Sequence, residues 1–264
     1  MRILITGAGG YIGKTLHDAL RDTHYVTAVT RKEVDLENPT AVKEFFDKSH
    51  FFDVVLHCAV AGGSRLAKDD WSVMDRNLIM YYNLVESQLR FGKLIHFGSG
   101  AETYMPKEPY GYSKKVIAKS ILLRDGFYNI KIFGVFDENE LETRFIKANI
   151  LRYIKKEPIQ IHENKFMDFF YMQDLISVVK YYIGEKEPPK EFDCVYEEGS
   201  PTLTQLSTII NELDDHKVKI FVGNPDGDSY TSKYRSELPI ELVGLEQGIK
   251  NVYNKLNESN KLPD

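Results

Sequence analysis

Through the first half of the chain, apolar residues fall in short unbroken runs, and between those runs they recur every three or four positions. The runs are RILIT (2–6), YVTAV (25–29), DVVLHCAV (53–60), KLIHFGS (93–99) and NIKIFGVF (129–136). Runs of this length, rich in β-branched residues, predict strands buried on both faces. The stretches between them, at 11–22, 38–49, 71–91 and 110–125, carry helical periodicity. Asn38 followed by Pro39 marks one helix start, with a side-chain acceptor and a preset φ. Strand and helix alternate regularly, which predicts a parallel sheet with right-handed crossovers: an α/β, Rossmann-like, doubly wound fold.

After residue 136 the rhythm changes. Helices are expected at 140–156, 172–184, 203–213 and 240–256, and short strands at 158–162, 166–171, 191–196 and 217–222. The chain therefore divides into a core domain, 1–136, and a smaller C-terminal α/β lobe, 137–264, parts of which can return to the core sheet. Two polar loops stand out, 184–191 and the longer 223–239, a length associated with function or disorder. Residues 257–264 are expected to fray.

Composition narrows the function classes. A chain of 264 residues with 42% hydrophobic content builds a sizeable core, and a net charge of −5 does not suit nucleic-acid binding. The two cysteines and seven histidines show no metal-ligand spacing, so no metal site and two free thiols are expected. No apolar run is long enough for a signal peptide or a membrane span, and a soluble cytoplasmic protein is expected.

The first strand leads into TGAGGYIG, with Gly7, Gly10 and Gly13 three residues apart. Glycines also make ordinary tight turns. Here, however, a strand precedes and a helix follows, the context in which bare backbone admits a pyrophosphate and a helix N-terminus faces it. Tyr11 and Ile12 belong to the same turn, and Cys58 and Ala59, ending the third strand, complete the expected cofactor cleft. NAD-binding folds often place an acid at the end of the second strand. This chain has Thr30, Arg31 and Lys32 there, two cations suited to a 2′-phosphate, which favours NADP(H). Asp35 nearby keeps NAD(H) possible, and the two cations can equally be solvated loop charges.

Together, TGAGGYIG, VDLENPTAVKEFF…DVVLHCA, RNLIMYYNL, HFGSG and YGYSK resemble the extended short-chain dehydrogenase/reductases, the NAD-dependent epimerase/dehydratase family that acts on nucleotide sugars. The resemblance is strong to about residue 135 and loose beyond. AGGSR and FGSG lean towards the GDP-fucose synthase branch, with dTDP-4-dehydrorhamnose reductases as its neighbour. The resemblance implies a catalytic set of Ser99, Tyr110 and Lys114 with Asn77 in support, Tyr110 and Lys114 also binding the cofactor with Lys114 at its ribose hydroxyls, and Asp35 and Leu36 near an adenine. It also implies a nucleotide-sugar-binding C-terminal lobe, in which Arg144 and Lys147 are candidates for the diphosphate, though both can be a solvated helix face. A homodimer through the helices at 69–91 and 110–125 is implied as well; Trp71 and the stripe Leu78, Tyr81, Tyr82 and Val85 are read as helix packing.

Tyr110 and Lys114, four positions apart on a helix, share a face. The ammonium can favour the phenolate, so the phenol can exchange a proton with a sugar oxygen. Ser99 would hydrogen-bond the same oxygen. Ser99 lies only eleven positions before Tyr110; in an alternative register Gly100 takes its place and Thr103 is the substitute hydroxyl. The acid–base pair of the family's dehydratases is missing, with Gly100 and Ala101 at those positions and Glu102 nearby. The cysteine and histidine of its epimerising reductases are also absent, Ala101 and Arg144 standing there. A simple reduction of a nucleotide-linked 4-keto-6-deoxy sugar, GDP-linked by preference, is expected. A 4-epimerase with tightly bound NAD and a non-catalytic NADP-binding regulator are the alternatives. Asp168, in FMDFFYMQDL, is expected to be structural.

Overall fold

The computed structural model describes residues 1–64 and 67–259. Arg65 and Leu66, which end the AGGSRL segment, and the terminal residues 260–264 lie outside the described residues. The elements in chain order are β1 (Arg2–Thr6), α1 (Tyr11–Leu20), β2 (Tyr25–Val29), α2 (Pro39–Lys48), β3 (Phe52–His57), α3 (Trp71–Glu86), β4 (Phe91–Ser99), α4 (Ala101–Tyr104), α5 (Pro109–Leu122) and β5 (Phe127–Ile132). They continue with β6 (Val135–Phe136), α6 (Phe145–Ile154), β7 (Ile159–Glu163), β8 (Phe170–Tyr171), α7 (Met172–Gly184), β9 (Glu191–Cys194), α8 (Leu203–Asn211), β10 (Ile220–Asn224) and α9 (Leu245–Ser259).

The main sheet has six strands in the order β2-β1-β3-β4-β5-β9, and β2–β1, β1–β3 and β3–β4 pair in parallel. Strand order reverses beside β1, because β2 lies on one side of it and β3 on the other. A crevice opens beyond the carboxyl ends of strands at such a switch point. Register sets the two faces. Leu4, Val55 and Leu94 stand in one row, with Ile3 and Val54 in another. The first row is packed with Val42 and Phe46 of α2, Tyr81, Leu84 and Val85 of α3, and Ile117 and Ile121 of α5. Asn38 caps α2 as expected, accepting from the Thr40 and Ala41 amides at 3.0 and 3.1 Å.

The chain forms two compact units, Met1–Lys131 with Tyr181–Phe192, and Ile132–Lys180 with the residues from Asp193 onward. The first unit therefore ends before residue 136 and regains a segment much later. In the second unit, α6, α8 and α9 pack on β6, β7 and β8, with Phe136, Ile150, Ile159, Leu206 and Val252 in the core. Its two small sheets, β7–β10 and β6–β8, are both parallel.

Several boundaries differ from the sequence reading. The helix expected to run to residue 91 stops at Glu86, and Gln88–Arg90 form a 3₁₀ turn. The strand expected over 166–171 shrinks to Phe170–Tyr171, because the Met167 and Asp168 amides donate instead to Pro201 O and Tyr230 O, at 3.1 and 3.2 Å. The last helix starts at Leu245 rather than Ile240, because the Val243 and Gly244 amides are held by the Asp174 carboxylate at 2.7 and 3.1 Å. The short helix α4 was not anticipated. Loop 223–239 is pinned: Asp168 accepts from Ser232 N at 2.6 Å, Ser200 Oγ at 2.7 Å and Arg235 Nη2 at 3.1 Å. Asp168 is thus a buried structural hub.

Candidate functional site

At the end of β1 the backbone turns through Gly7, whose φ is +66°. A Cβ there would stand 2.5 Å from the Ala59 amide nitrogen, so the loop after β3 lies directly against bare backbone. A Cβ on Gly13 would stand 2.4 Å from Gly7 O, which seats α1 against the turn. No side chain caps the N-terminus of α1, and its first turn carries no acid. A short-backed turn under an uncapped helix start fits a diphosphate.

A cleft of about 450 Å³ opens beside this turn. Of the expected cofactor residues, Gly7, Gly10, Arg31, Asp35, Leu36, Cys58 and Ala59 line it. Tyr11, Ile12, Gly13, Lys32, Tyr110 and Lys114 are not among its lining residues; Lys32 sits in a turn with its amide donating to Thr30 Oγ1 at 3.2 Å. Three charged groups here went unnoticed in the sequence. Glu33 accepts from the Thr30 amide and hydroxyl, both at 2.7 Å, and those bonds hold its carboxyl below the usual range. Glu37 accepts from Arg31 and, at 2.9 Å, from Nε of Arg76, a cleft-lining residue of α3. Arg31 is also 3.8 Å from Asp35.

Pro109 starts α5, and Tyr110 and Lys114 follow on one face, with the Lys114 ammonium 5.8 Å from the phenol ring centroid. Lys114 is buried, and its Nζ donates to Phe97 O at 2.6 Å and lies 3.4 Å from His96 Nε2. Burial draws the ammonium down to about 8, with Glu102 and Cys58 opposing the shift. Burial also keeps the neighbouring imidazoles of His57 and His96 neutral, His57 at about 3. Cys58 and Cys194 are free thiols, both pushed up by burial.

Phe97, which holds Lys114, is two residues before Ser99, so β4 presents both at its carboxyl end. Ser99 is buried; its Oγ accepts from Ala101 N at 3.2 Å, and its amide donates to Glu102 Oε1 at 3.0 Å. Gly100 stands at the cap before α4, and Thr103, the alternative hydroxyl, is exposed on that helix. Glu102 is buried, 3.6 Å from Lys131, and its carboxyl is raised by burial. Asn77 is buried on α3. Its Oδ1 accepts from Ala61 N at 2.7 Å, and its Nδ2 donates to Ala61 O and Ser113 Oγ, both at 3.1 Å. Ser113 Oγ in turn donates to Tyr110 O at 2.7 Å. Asn77 therefore ties the loop after β3 to the first turn of α5. That loop also covers the phenol: a Cβ on Gly63 would stand 2.7 Å from Tyr110 Cε2.

In the second unit Arg144 is exposed at the start of α6, whereas Lys147 is buried with its Nζ donating to Glu140 O at 2.9 Å. Burial raises the Glu140 carboxyl to about 8. On α3 and α5, Tyr81 and Val85 are buried and Leu78 packs on the core, while Trp71, Tyr82 and Tyr112 are exposed. Among the described residues, no group of His, Cys, Asp and Glu could hold a metal ion, and no helix is long and apolar enough to cross a membrane.

The sequence pattern of the NAD dependent epimerase/dehydratase family matches residues 3–194. A dTDP-4-dehydrorhamnose reductase of Mycolicibacterium smegmatis is 39% identical over 70 residues, 26% of this chain and 20% of that protein's length. Among solved structures, a UDP-glucose 4-epimerase from Thermotoga maritima with UDP-glucose gives a TM-score of 0.76 at 17% identity, covering 99% of this chain and 100% of its own. A GDP-mannoheptose C4 reductase from Campylobacter jejuni with NADP bound gives 0.76 at 16% identity, covering 97% and 98%. At such identities the likeness is one of fold.

Proposed function

The chain belongs to the NAD dependent epimerase/dehydratase family, and we propose that it acts there as a reductase of the C4 keto group of a nucleotide-linked 4-keto-6-deoxy sugar. The observation that carries this reading is Lys114, a buried cation 5.8 Å from the Tyr110 ring and bonded to the strand that ends in Ser99. When bound, the nicotinamide supplies hydride to the carbonyl carbon. Tyr110 gives its proton to O4, and Lys114 favours the phenolate left behind. With its ammonium at about 8, Lys114 is mostly charged at neutral pH. Ser99 orients O4, and Asn77 holds the first turn of α5 in place through Ser113.

NADP(H) is favoured because Arg31 lines the cleft. NAD(H) stays possible because Asp35 and Glu37 partner that arginine. A GDP-linked sugar is favoured by the sequence resemblance; the fold neighbours include both GDP- and UDP-sugar enzymes. Arg144, exposed at a helix start, is the better candidate for a diphosphate. Lys147 is engaged with Glu140 and would add charge rather than contact. A second copy docked on the exposed aromatic residues of α3 and α5, and a cytoplasmic setting, complete the proposal.

The test is to offer purified protein GDP-, dTDP-, CDP- and UDP-4-keto sugars with NADPH and follow absorbance loss and product configuration. Consumption of a GDP-linked substrate is expected. No consumption, with interconversion of UDP-hexoses and no net NADPH loss, would favour the second reading, a 4-epimerase, which the carboxylates around Arg31 support. Tyr110→Phe separates both from a non-catalytic regulator: turnover is expected to fall by about 10²–10⁴-fold with cofactor binding retained.

A further inference from the structure

We infer that Glu37 and Arg76 set how far this cleft distinguishes a 2′-phosphate from a 2′-hydroxyl, Glu37 holding the two guanidiniums that a phosphate would use. The inference rests on the dinucleotide reading above and deepens it.

Arg31 follows β2 and Arg76 comes from α3, and both line the cleft beside Asp35, Leu36 and Met80. Their guanidiniums converge on one atom, Glu37 Oε1, which accepts from Arg76 Nε at 2.9 Å and from Arg31 Nη2. The segment that carries Glu37 is anchored on both sides. The Glu37 amide donates to Asp35 Oδ1 at 3.1 Å, Leu36 O accepts from Asn83 Nδ2 of α3 at 2.8 Å, and Asn38 is locked as the cap of α2. The backbone beneath Glu37 is therefore fixed, and its carboxylate is held over the cleft by the two guanidiniums themselves.

Charge then decides the outcome. Arg31 and Arg76 carry two positive charges; Asp35, 3.8 Å from Arg31, and Glu37 carry two negative ones. A 2′-phosphate approaching this corner meets a neutralised cluster rather than a pair of free cations. It must compete with Glu37 for the same donors, which suit phosphate and carboxylate alike. A 2′-hydroxyl meets no such competition. The chain is therefore expected to bind NADPH and NADH with modest discrimination, and Glu37→Gln to tip the cleft towards the phosphorylated cofactor.

The experiment titrates full-length wild type, Glu37→Gln and Arg76→Ala calorimetrically with 2′,5′-ADP, 5′-AMP, NADPH and NADH, so that no turnover is needed. Glu37→Gln should bind 2′,5′-ADP and NADPH about tenfold more tightly, about 1.4 kcal/mol, with 5′-AMP and NADH changed less than about twofold. Arg76→Ala should weaken 2′,5′-ADP by about fivefold or more and spare 5′-AMP. If both dinucleotides bind and their affinity ratio is the same in Glu37→Gln as in wild type, the inference is overturned while the dinucleotide reading stands. If wild type binds none of the four ligands, the reading itself falls and takes the inference with it.

Discussion

Gly63 lies against the ring of Tyr110 so closely that a single added carbon would stand 2.7 Å from Cε2 and 2.8 Å from Cζ. Its φ of +74° is one that other residues rarely adopt, and its amide is fixed to Asp69 Oδ2 at 2.9 Å. Backbone here substitutes for a side chain in setting where the phenol points. Gly63→Ala should therefore lower kcat by about tenfold or more by displacing the hydroxyl, a sub-ångström positioning effect. Dinucleotide affinity, measured by titration, should be unchanged; an unchanged kcat would remove Gly63 from the positioning of Tyr110.

Lys114 links folding stability to pH. Its ammonium falls from 10.5 to about 8 on burial, so between those values the unfolded chain binds more protons than the folded one. Folding is then favoured as pH rises through this window. Lys114→Met lacks the term. Its stability relative to wild type should decline by up to about 3 kcal/mol between pH 7.5 and pH 10.5, whatever constant offset the lost hydrogen bond adds. Urea unfolding at a series of pH values measures this, and a flat difference would contradict a buried, strained ammonium.

Glu140 gives the opposite slope. Its carboxyl is raised from 4.5 to about 8 by burial, so its cost is absent below 4.5 and grows as pH rises towards 8. Glu140→Gln should be more stable than wild type by up to about 4 kcal/mol at pH 7.5 and indistinguishable from it at pH 4. Thermal unfolding at the two pH values decides it.

Asp168 receives three donors from Ser200, Ser232 and Arg235, and Arg235 also donates to Tyr196 O. Asp168→Ala removes the carboxylate that neutralises a part-buried guanidinium and leaves the buried Ser232 amide without its acceptor, and should cost about 3 kcal/mol. Limited proteolysis should then cut within 223–239, where wild type resists.

Much of the fold was legible because its signals are local. The glycine turn, the cap at Asn38 and the i,i+4 pair of Tyr110 and Lys114 each sit within a few residues of one another. The cluster of Arg31, Glu37 and Arg76 was not legible, since Glu37 and Arg76 are 39 residues apart and only the packing of α3 brings them together. Arg31 and Lys32 read alike in sequence, yet only Arg31 lines the cleft. Arg144 and Lys147 also looked equivalent, and the turn of α6 that buries one exposes the other. The shortened strand at 166–171 has the same cause: Asp168 has periodicity compatible with a strand, but its amide and carboxylate are claimed by loops distant in sequence.

The sixth strand, β9, pairs beside β5 although almost sixty residues of chain separate them. On the ribosome, β5 must therefore wait with an open hydrogen-bonding edge until residue 194 has emerged. Any fragment ending near residue 136 would keep that edge for good, inviting strand addition by other chains. Attempts to isolate the amino-terminal half alone should yield aggregates, whereas splicing 181–194 back through a short linker should give a soluble product.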